Sequence, residues 1–303
     1  MIDGEPDETE GPTAGSTPTY RPTSIPAAPE PDIEPAHAPI LIVRDLWMTY
    51  STPRDGRTTQ VLEGVNMAVR RGEFVCIVGP SGCGKSTLLN IIGGFVRPTR
   101  GEVNIEGQPV KKPDRRRIFI FQEGGVFPWL NVHDNIGLGL GQLDPSERDP
   151  IVAHYIKMVG LDGFERAYPR ELSGGMRQRV EIARALAANP EIIYMDEPFG
   201  ALDYITRFKM RADLIRIWQE ERKTILFVTH DIEEAVQLAD RVLVMTRRPA
   251  TVRAEVIVDL PRPRDLHEPS YLIARDQIFA AMGMNPITGA ISTDKPNSLI
   301  TPR

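Results

Sequence analysis

Residues 79–87 read GPSGCGKST. Gly79, Gly84, Lys85 and Ser86 fit the spacing G-x-x-x-x-G-K-S/T, in which glycines free backbone N–H groups to wrap phosphates and the following helix presents its positive end. Lys85 then reaches the β- and γ-phosphates of a nucleoside triphosphate and Ser86 ligates Mg²⁺. Pro80, Ser81, Gly82, Cys83 and Thr87 complete this cradle. In IIYMDEP, 192–198, an apolar run ends in two carboxylates. Asp196 is placed to hold Mg²⁺ and Glu197 to orient and polarise an attacking water. Alone, such a pair more often closes a turn; a phosphate loop in the same sheet favours the catalytic reading. FVTHD puts His230 at the carboxyl end of a strand, where open α/β sheets collect ligands. His37, His133, His154 and His267 read as structural. A second anion-type helix start stands at LSGGMRQR, 172–179. Ser173 is a good N-cap and Gly174 and Gly175 allow close approach to an anion; an ordinary helix cap is the other reading.

The elements that must carry these residues follow from pattern. PILIVRDLWMTY and VLEGVNMAV read as strands, and GEFVCIVG as a buried strand leading to the helix KSTLLNIIGGF. GEVNIEG and RRIFIFQE are further strands. From about 132 to 189 the pattern turns helical, and the helix after 173 carries Val180, Ala183 and Leu186 on one stripe before the stop at Asn189-Pro190. Arg177, Arg179 and Arg184 read as its solvated face. EIIYMDE, a helix over 203–222, TILFVTH, a helix over 231–239 and RVLVMT then alternate. This is an α/β parallel sheet with a helical insertion over about 126–190. After 260 an exposed arm and a final helix are expected, and residues 261–303 form a C-terminal arm, helix and tail.

Residues 1–38 hold Pro, Thr, Ala and acidic side chains with few large apolar ones, which predicts a disordered extension. The 303 residues carry a net charge of −5, with no basic footprint for nucleic acid. No apolar run reaches bilayer length, and the acidic N-terminus is not a secretory signal. Two cysteines, Cys76 and Cys83, make neither a disulfide framework nor a zinc site, so a reduced cytoplasmic setting is expected. Cys83, at a helix start that favours thiolate, is expected to react with a maleimide unless Mg-ATP protects it, and Cys76 to react slowly.

GPSGCGKST, LSGGMRQR, IIYMDEP and VTHD, in this order, resemble the ATP-binding cassette family over about 39–260. The resemblance implies a P-loop NTPase (RecA-like) core with an antiparallel β subdomain and an inserted α-helical subdomain. It implies ATP and Mg²⁺ as cofactors and hydrolysis as the activity. In that family the signature loop, here Ser173, Gly174 and Gly175, covers the ATP of a second, head-to-tail copy, so two ATP molecules sit in a dimer. Gln122 matches the glutamine that senses Mg²⁺ and the γ-phosphate and couples them to a membrane partner. Asp203 matches the loop that communicates across the dimer. Tyr50 falls where an aromatic ring stacks on adenine, with Trp47 as the other candidate. Met176 stands where many members have glutamine, which puts a side-chain contact there in doubt. GGVFPWLNV, 124–132, is apolar for a loop; Phe127 and Trp129 either pack the insertion or dock a membrane subunit. The implied partners are transmembrane permease subunits and, indirectly, a solute-binding protein, at the cytoplasmic face of the membrane. VTHDIEEAVQLADRVLVM followed by RPATVRAEVIVDLPRPRD is most like nitrate, sulfonate and taurine importers. The alternative is a soluble cassette ATPase of translation or DNA repair.

Overall fold

Two sheets share a face, and each is explained by how its strands are buried. The computed structural model describes residues 38–51, 57–122 and 125–285. The expectation for residues 1–38 falls, apart from Ala38, outside them, as does the end of the tail. The first sheet is antiparallel, in the order β2-β1-β4-β5, from β1 (Leu41–Ser51), β2 (Thr58–Val69), β4 (Arg100–Ile105) and β5 (Gln108–Pro109). In β1 Leu41, Val43, Leu46 and Met48 are buried, and a register shift after Val43 keeps this set on one face. The shift centres on Asp45, whose φ is 44° and whose N–H is taken by Asn66 Oδ1 at 2.9 Å.

The second sheet has β3 (Phe74–Val78), β6 (Arg117–Ile120), β7 (Ile192–Asp196), β8 (Thr224–Thr229), β9 (Arg241–Met245) and β10 (Val252–Ile257). Its order is β10-β9-β3-β8-β7-β6, parallel but for β10. β3, β8 and β9 are buried along their whole length, as strands covered on both faces must be. Side chains alternate between two cores. Val75, Ile77, Tyr194, Leu226 and Val228 join the antiparallel sheet and α1 (Lys85–Ile92). Phe74, Cys76, Val78, Met195 and Phe227 join the helical side.

That side holds α2 (Val132–Gly137), α3 (Pro145–Met158), α4 (Gly174–Ala187), α5 (Tyr204–Glu221), α6 (Ile232–Leu238) and α7 (Pro269–Ala281). The arm between β10 and α7 is exposed at Pro261, Pro263, Asp265, His267 and Glu268, as expected, and is tied down by two half-buried arginines. Arg262 lies 4.5 Å over the Trp218 ring, pairs with Asp240 at 2.7 Å and donates to the Leu238 carbonyl. Arg264 donates to the carbonyls of Val236, Ala239 and Val258. These guanidinium groups satisfy the buried carbonyl end of α6, which lacks helical donors of its own. Burial, and then the neighbouring Arg262, bring the Arg264 pKa down to about 10.

Candidate nucleotide site

Three adjacent strands, β3, β8 and β7, end side by side. The phosphate loop follows β3, His230 follows β8, and Asp196 and Glu197 close β7. Lys85 is buried, and its ammonium donates to the carbonyls of Gly79 at 2.9 Å and Pro80 at 3.3 Å. It stands 3.9 Å from Glu197 Oε1. Ser81, Gly82 and Ser86 are exposed and Thr87 is half-buried.

The Ser86 side chain stands beside Asp196, whose Oδ1 is buried with no partner. Burial raises its pKa, the neighbouring Ser86 hydroxyl opposes that, Glu197 adds to it and Lys85 subtracts. A buried unpaired carboxylate oxygen beside a hydroxyl is the oxygen donor set that Mg²⁺ takes, so these two residues fit the ion. Glu197 sits at φ 47°, a region where non-glycine residues are uncommon and cluster at functional sites. Its Oε2 lies 2.9 Å from His230 Nδ1. A cavity of about 590 Å³ joins Gly79, Pro80 and Ser81 to Glu197 and His230. Phe279, Met282 and Met284, from the end of α7 and the chain after it, line the same cavity. The sequence offered no signal for that wall.

Gln122 follows β6, the neighbour of β7, and its Nε2 lies beside Gly200, 3.8 Å from where a Cβ there would stand. Tyr50 is exposed near the end of β1. Trp47 instead donates to Asp45 at 2.6 Å and carries Arg100 5.7 Å over its ring. The second anion-type start lies elsewhere: Ser173, Gly174 and Gly175 do not line the cavity. Ser173 caps α4, its Oγ accepting from Met176 N at 3.3 Å. A Cβ on Gly175 would stand 2.7 Å from Thr206 Cγ2, so close packing on α5 demands glycine there. Asp203 caps α5 and accepts from Thr206 N at 3.0 Å, and bonds from Thr206 hold its pKa down. Thr206 thus links Asp203 to the loop at 173–175.

One expectation is overturned and a second holds only in part. Cys83 is 2% exposed, its sulfur packed under Gly79, so position at a helix start does not make it accessible to a maleimide. Cys76 is also fully buried, and burial pushes its thiol well above the ordinary range. The arginines of α4 are only in part the solvated face expected, since Arg177 is exposed but Arg179 and Arg184 are half-buried. Arg177 donates to Leu172 O at 2.6 Å, Arg179 pairs with Asp213 at 2.6 Å, and Arg184 donates to Gly125 O at 2.7 Å beneath Phe127. Arg184 and Glu181, which accepts from the Gly125 N–H, therefore hold the loop at 125–131. Asn135, wholly buried, adds bonds to Phe127 N and O, Leu130 O and Asn131 O. On this fixed loop Trp129 stays 69% exposed. Asn135 and Glu181 were missed from sequence; a polar residue on the buried stripe of a helix was the signal available.

The ABC transporter family profile matches residues 62–200. The nitrate import ATP-binding protein NrtD of Synechococcus elongatus is 45% identical over 76% of this chain and 86% of its own length. The aliphatic sulfonates import ATP-binding protein SsuB of Bacillus cereus is 45% identical over 74% of this chain and 88% of its own. Among solved structures, the dimeric bacterial ABC transporter cassette MJ0796 superposes with a TM-score of 0.63 at 36% identity, covering 73% of this chain and all of that one. Its dimeric post-hydrolysis state, bound to ADP and Pi, gives 0.62 at 35%, with the same coverage of both chains.

Proposed function

Since this chain belongs to the ABC transporter family, we propose that it is the ATP-hydrolysing subunit that powers solute import through separate membrane permease subunits, in the nitrate and sulfonate branch. The carrying observation is that the phosphate loop, His230 and Glu197 follow three adjacent parallel strands, with Lys85 3.9 Å from Glu197 Oε1, His230 Nδ1 2.9 Å from Glu197 Oε2, and a cavity lined by Gly79, Glu197 and His230 beside them. Lys85 exchanges its carbonyl partners for phosphate oxygens, a charge-assisted contact stronger than the one it leaves. Ser86 and Asp196 hold Mg²⁺, with Gln122 completing the set, and the ion neutralises charge on the phosphates when bound. Glu197 takes the proton from the attacking water, and His230 keeps its carboxylate oriented through Nδ1. The backbone of Gly79–Thr87 wraps the phosphates and Tyr50 stacks on adenine.

The dimeric cassette on which this chain superposes supports a dimer, in the head-to-tail form in which Ser173, Gly174, Gly175 and Asp203 of each copy cover the other's nucleotide. Among the described residues no helix is long and apolar enough to cross a membrane. Membrane subunits therefore carry the solute, and Trp129 on its pinned loop is the docking side chain. The chain works peripherally at the cytoplasmic face, with a solute-binding protein acting from the other side. The names of the relatives favour small anions, nitrate and alkanesulfonates, as cargo, and set the translation and repair alternative aside.

The test is to co-express the chain with candidate permease subunits, purify the complex in detergent and reconstitute it in liposomes with a binding protein. Nitrate, taurine and longer alkanesulfonates are then compared. One of these should stimulate ATP hydrolysis and accumulate inside. A chain that hydrolyses ATP, joins no membrane subunit and answers no solute would overturn the transport reading and leave the ATPase standing.

A further inference from the structure

The phosphate loop is braced from outside by a residue in none of the motifs. Arg248 lies in the hairpin between β9 and β10, and its Nε donates to the carbonyl of Gly82. That hairpin is rigidly placed. Thr246 N bonds Thr251 O at 3.0 Å, Ala250 N bonds Val61 O at 2.9 Å, and Glu63 N returns to Ala250 O at 2.9 Å. On the loop, Cys83 N bonds Pro80 O at 3.2 Å, closing a turn whose third residue, Gly82, has φ 68°. Such turns need a residue that tolerates positive φ in that place. Pro80 O also accepts from Lys85. A continuous hydrogen-bonded path therefore runs from Arg248 through the Gly82–Cys83 peptide to Pro80 O and the Lys85 ammonium.

Two chemical consequences follow. A cation donating to the Gly82 carbonyl polarises that peptide and strengthens the Cys83 N–H as a donor. Further, no carboxylate among the described residues pairs with Arg248, so its charge is unspent beside a loop built for phosphates. A cavity of about 540 Å³ lies between Pro80–Cys83 and the side chains of Arg247 and Arg248.

We propose that Arg248 is a positioning residue for nucleotide binding, holding the Pro80–Cys83 turn in its phosphate-accepting shape and lowering the cost of bringing a polyphosphate beside it. This rests on the nucleotide-site reading above. It differs from the role of Lys85, because Arg248 acts on the loop and not on the reacting phosphate.

The test uses the full-length chain with Arg248→Met, Arg248→Lys and Arg247→Met. Mg-ATP binding is measured by displacement of a fluorescent nucleotide, with ATPase kinetics and melting temperature alongside. Arg248→Met should weaken ATP binding about tenfold and raise KM in parallel, while kcat at saturation stays within about threefold. Arg248→Lys, keeping the charge without the planar fork, should fall between Met and wild type. Arg247→Met should bind within about twofold of wild type. The proposal is overturned if Arg248→Met binds ATP as wild type does, if Arg247→Met weakens binding equally, or if kcat alone falls. Should Arg248→Met fail to fold, Arg248→Lys decides: weakened binding in a folded protein supports the proposal, and unchanged binding removes it. If wild type itself does not bind Mg-ATP, the underlying site reading fails instead.

Discussion

Asp196 shows how a single residue can serve the bound state at the expense of the free one. Its carboxylate is mostly buried, one oxygen has no partner and Glu197 stands beside it, so the charged form is disfavoured until a cation arrives. The sign follows from the raised folded-state pKa. Below the ordinary carboxylate value of 3.8 both states are protonated and no penalty exists; as pH rises through the raised value, the penalty becomes complete. Asp196→Asn should therefore raise the melting temperature of the nucleotide-free, Mg²⁺-free chain at neutral pH by about 2–4 °C, a modest effect because the group is partly solvated. The gap between variant and wild type should close as pH is lowered toward the ordinary carboxylate range. The variant should also lose the stabilisation that Mg-ATP gives wild type. Thermal denaturation across pH, with and without Mg-ATP, reads all three, and a variant less stable than wild type at neutral pH would refute the account. Cys83 teaches the complementary lesson: its place in the motif was legible, but the direction of its sulfur depended on packing against Gly79, which spacing does not encode.

At the scale of elements, the loop at 125–131 is shaped by residues distant in sequence. Glu181 and Arg184 reach it from α4, and Asn135 turns back on it from α2 with four hydrogen bonds. Asn135→Ala leaves one N–H and three carbonyl bonds unmade, and should destabilise the chain by about 2–4 kcal/mol in urea unfolding. If Trp129 on this loop is the docking side chain, the folded variant should also lose association with membrane subunits more than it loses basal ATPase. Equal association in wild type and variant would separate the loop from docking. This element illustrates what could be read ahead. β3, β7 and β8 were legible because strands covered on both faces read as unbroken apolar runs. α4 was legible from its apolar stripe and its Ser173 cap. What its arginines do was not, since their partners at Leu172, Asp213 and Gly125 come from the tertiary fold. The same holds for the arm, whose exposure was legible but whose Arg262 and Arg264 find their partners at the end of α6 only in the tertiary fold.

For the whole molecule, the separation of the two anion-type helix starts carries the functional consequence. Lys85 opens α1 in the phosphate loop beside Glu197, whereas Ser173 opens α4, exposed and with Gly175 packed against Thr206. On the head-to-tail reading proposed above, one chain supplies half of each of two sites, and a second copy completes them. Lys85→Ala removes a charge-assisted phosphate contact worth roughly 1.5–3 kcal/mol. Ser173→Arg puts a bulky side chain where the partner's nucleotide must approach. Each homodimer should be inactive. A heterodimer of the two places both defects in one composite site and leaves the other intact, so purified heterodimer assembled with membrane subunits should recover partial ATPase. If the signature loop served its own chain, every site would carry one defect and no recovery could occur. Strict coupling between the two sites could silence turnover even in the cross-chain arrangement, and occlusion of ATP resolves that case. A heterodimer that occludes one ATP without hydrolysing it still has a complete composite site. One that neither hydrolyses nor occludes reduces Ser173 to the cap of α4, holding Met176 N–H and nothing beyond its own chain.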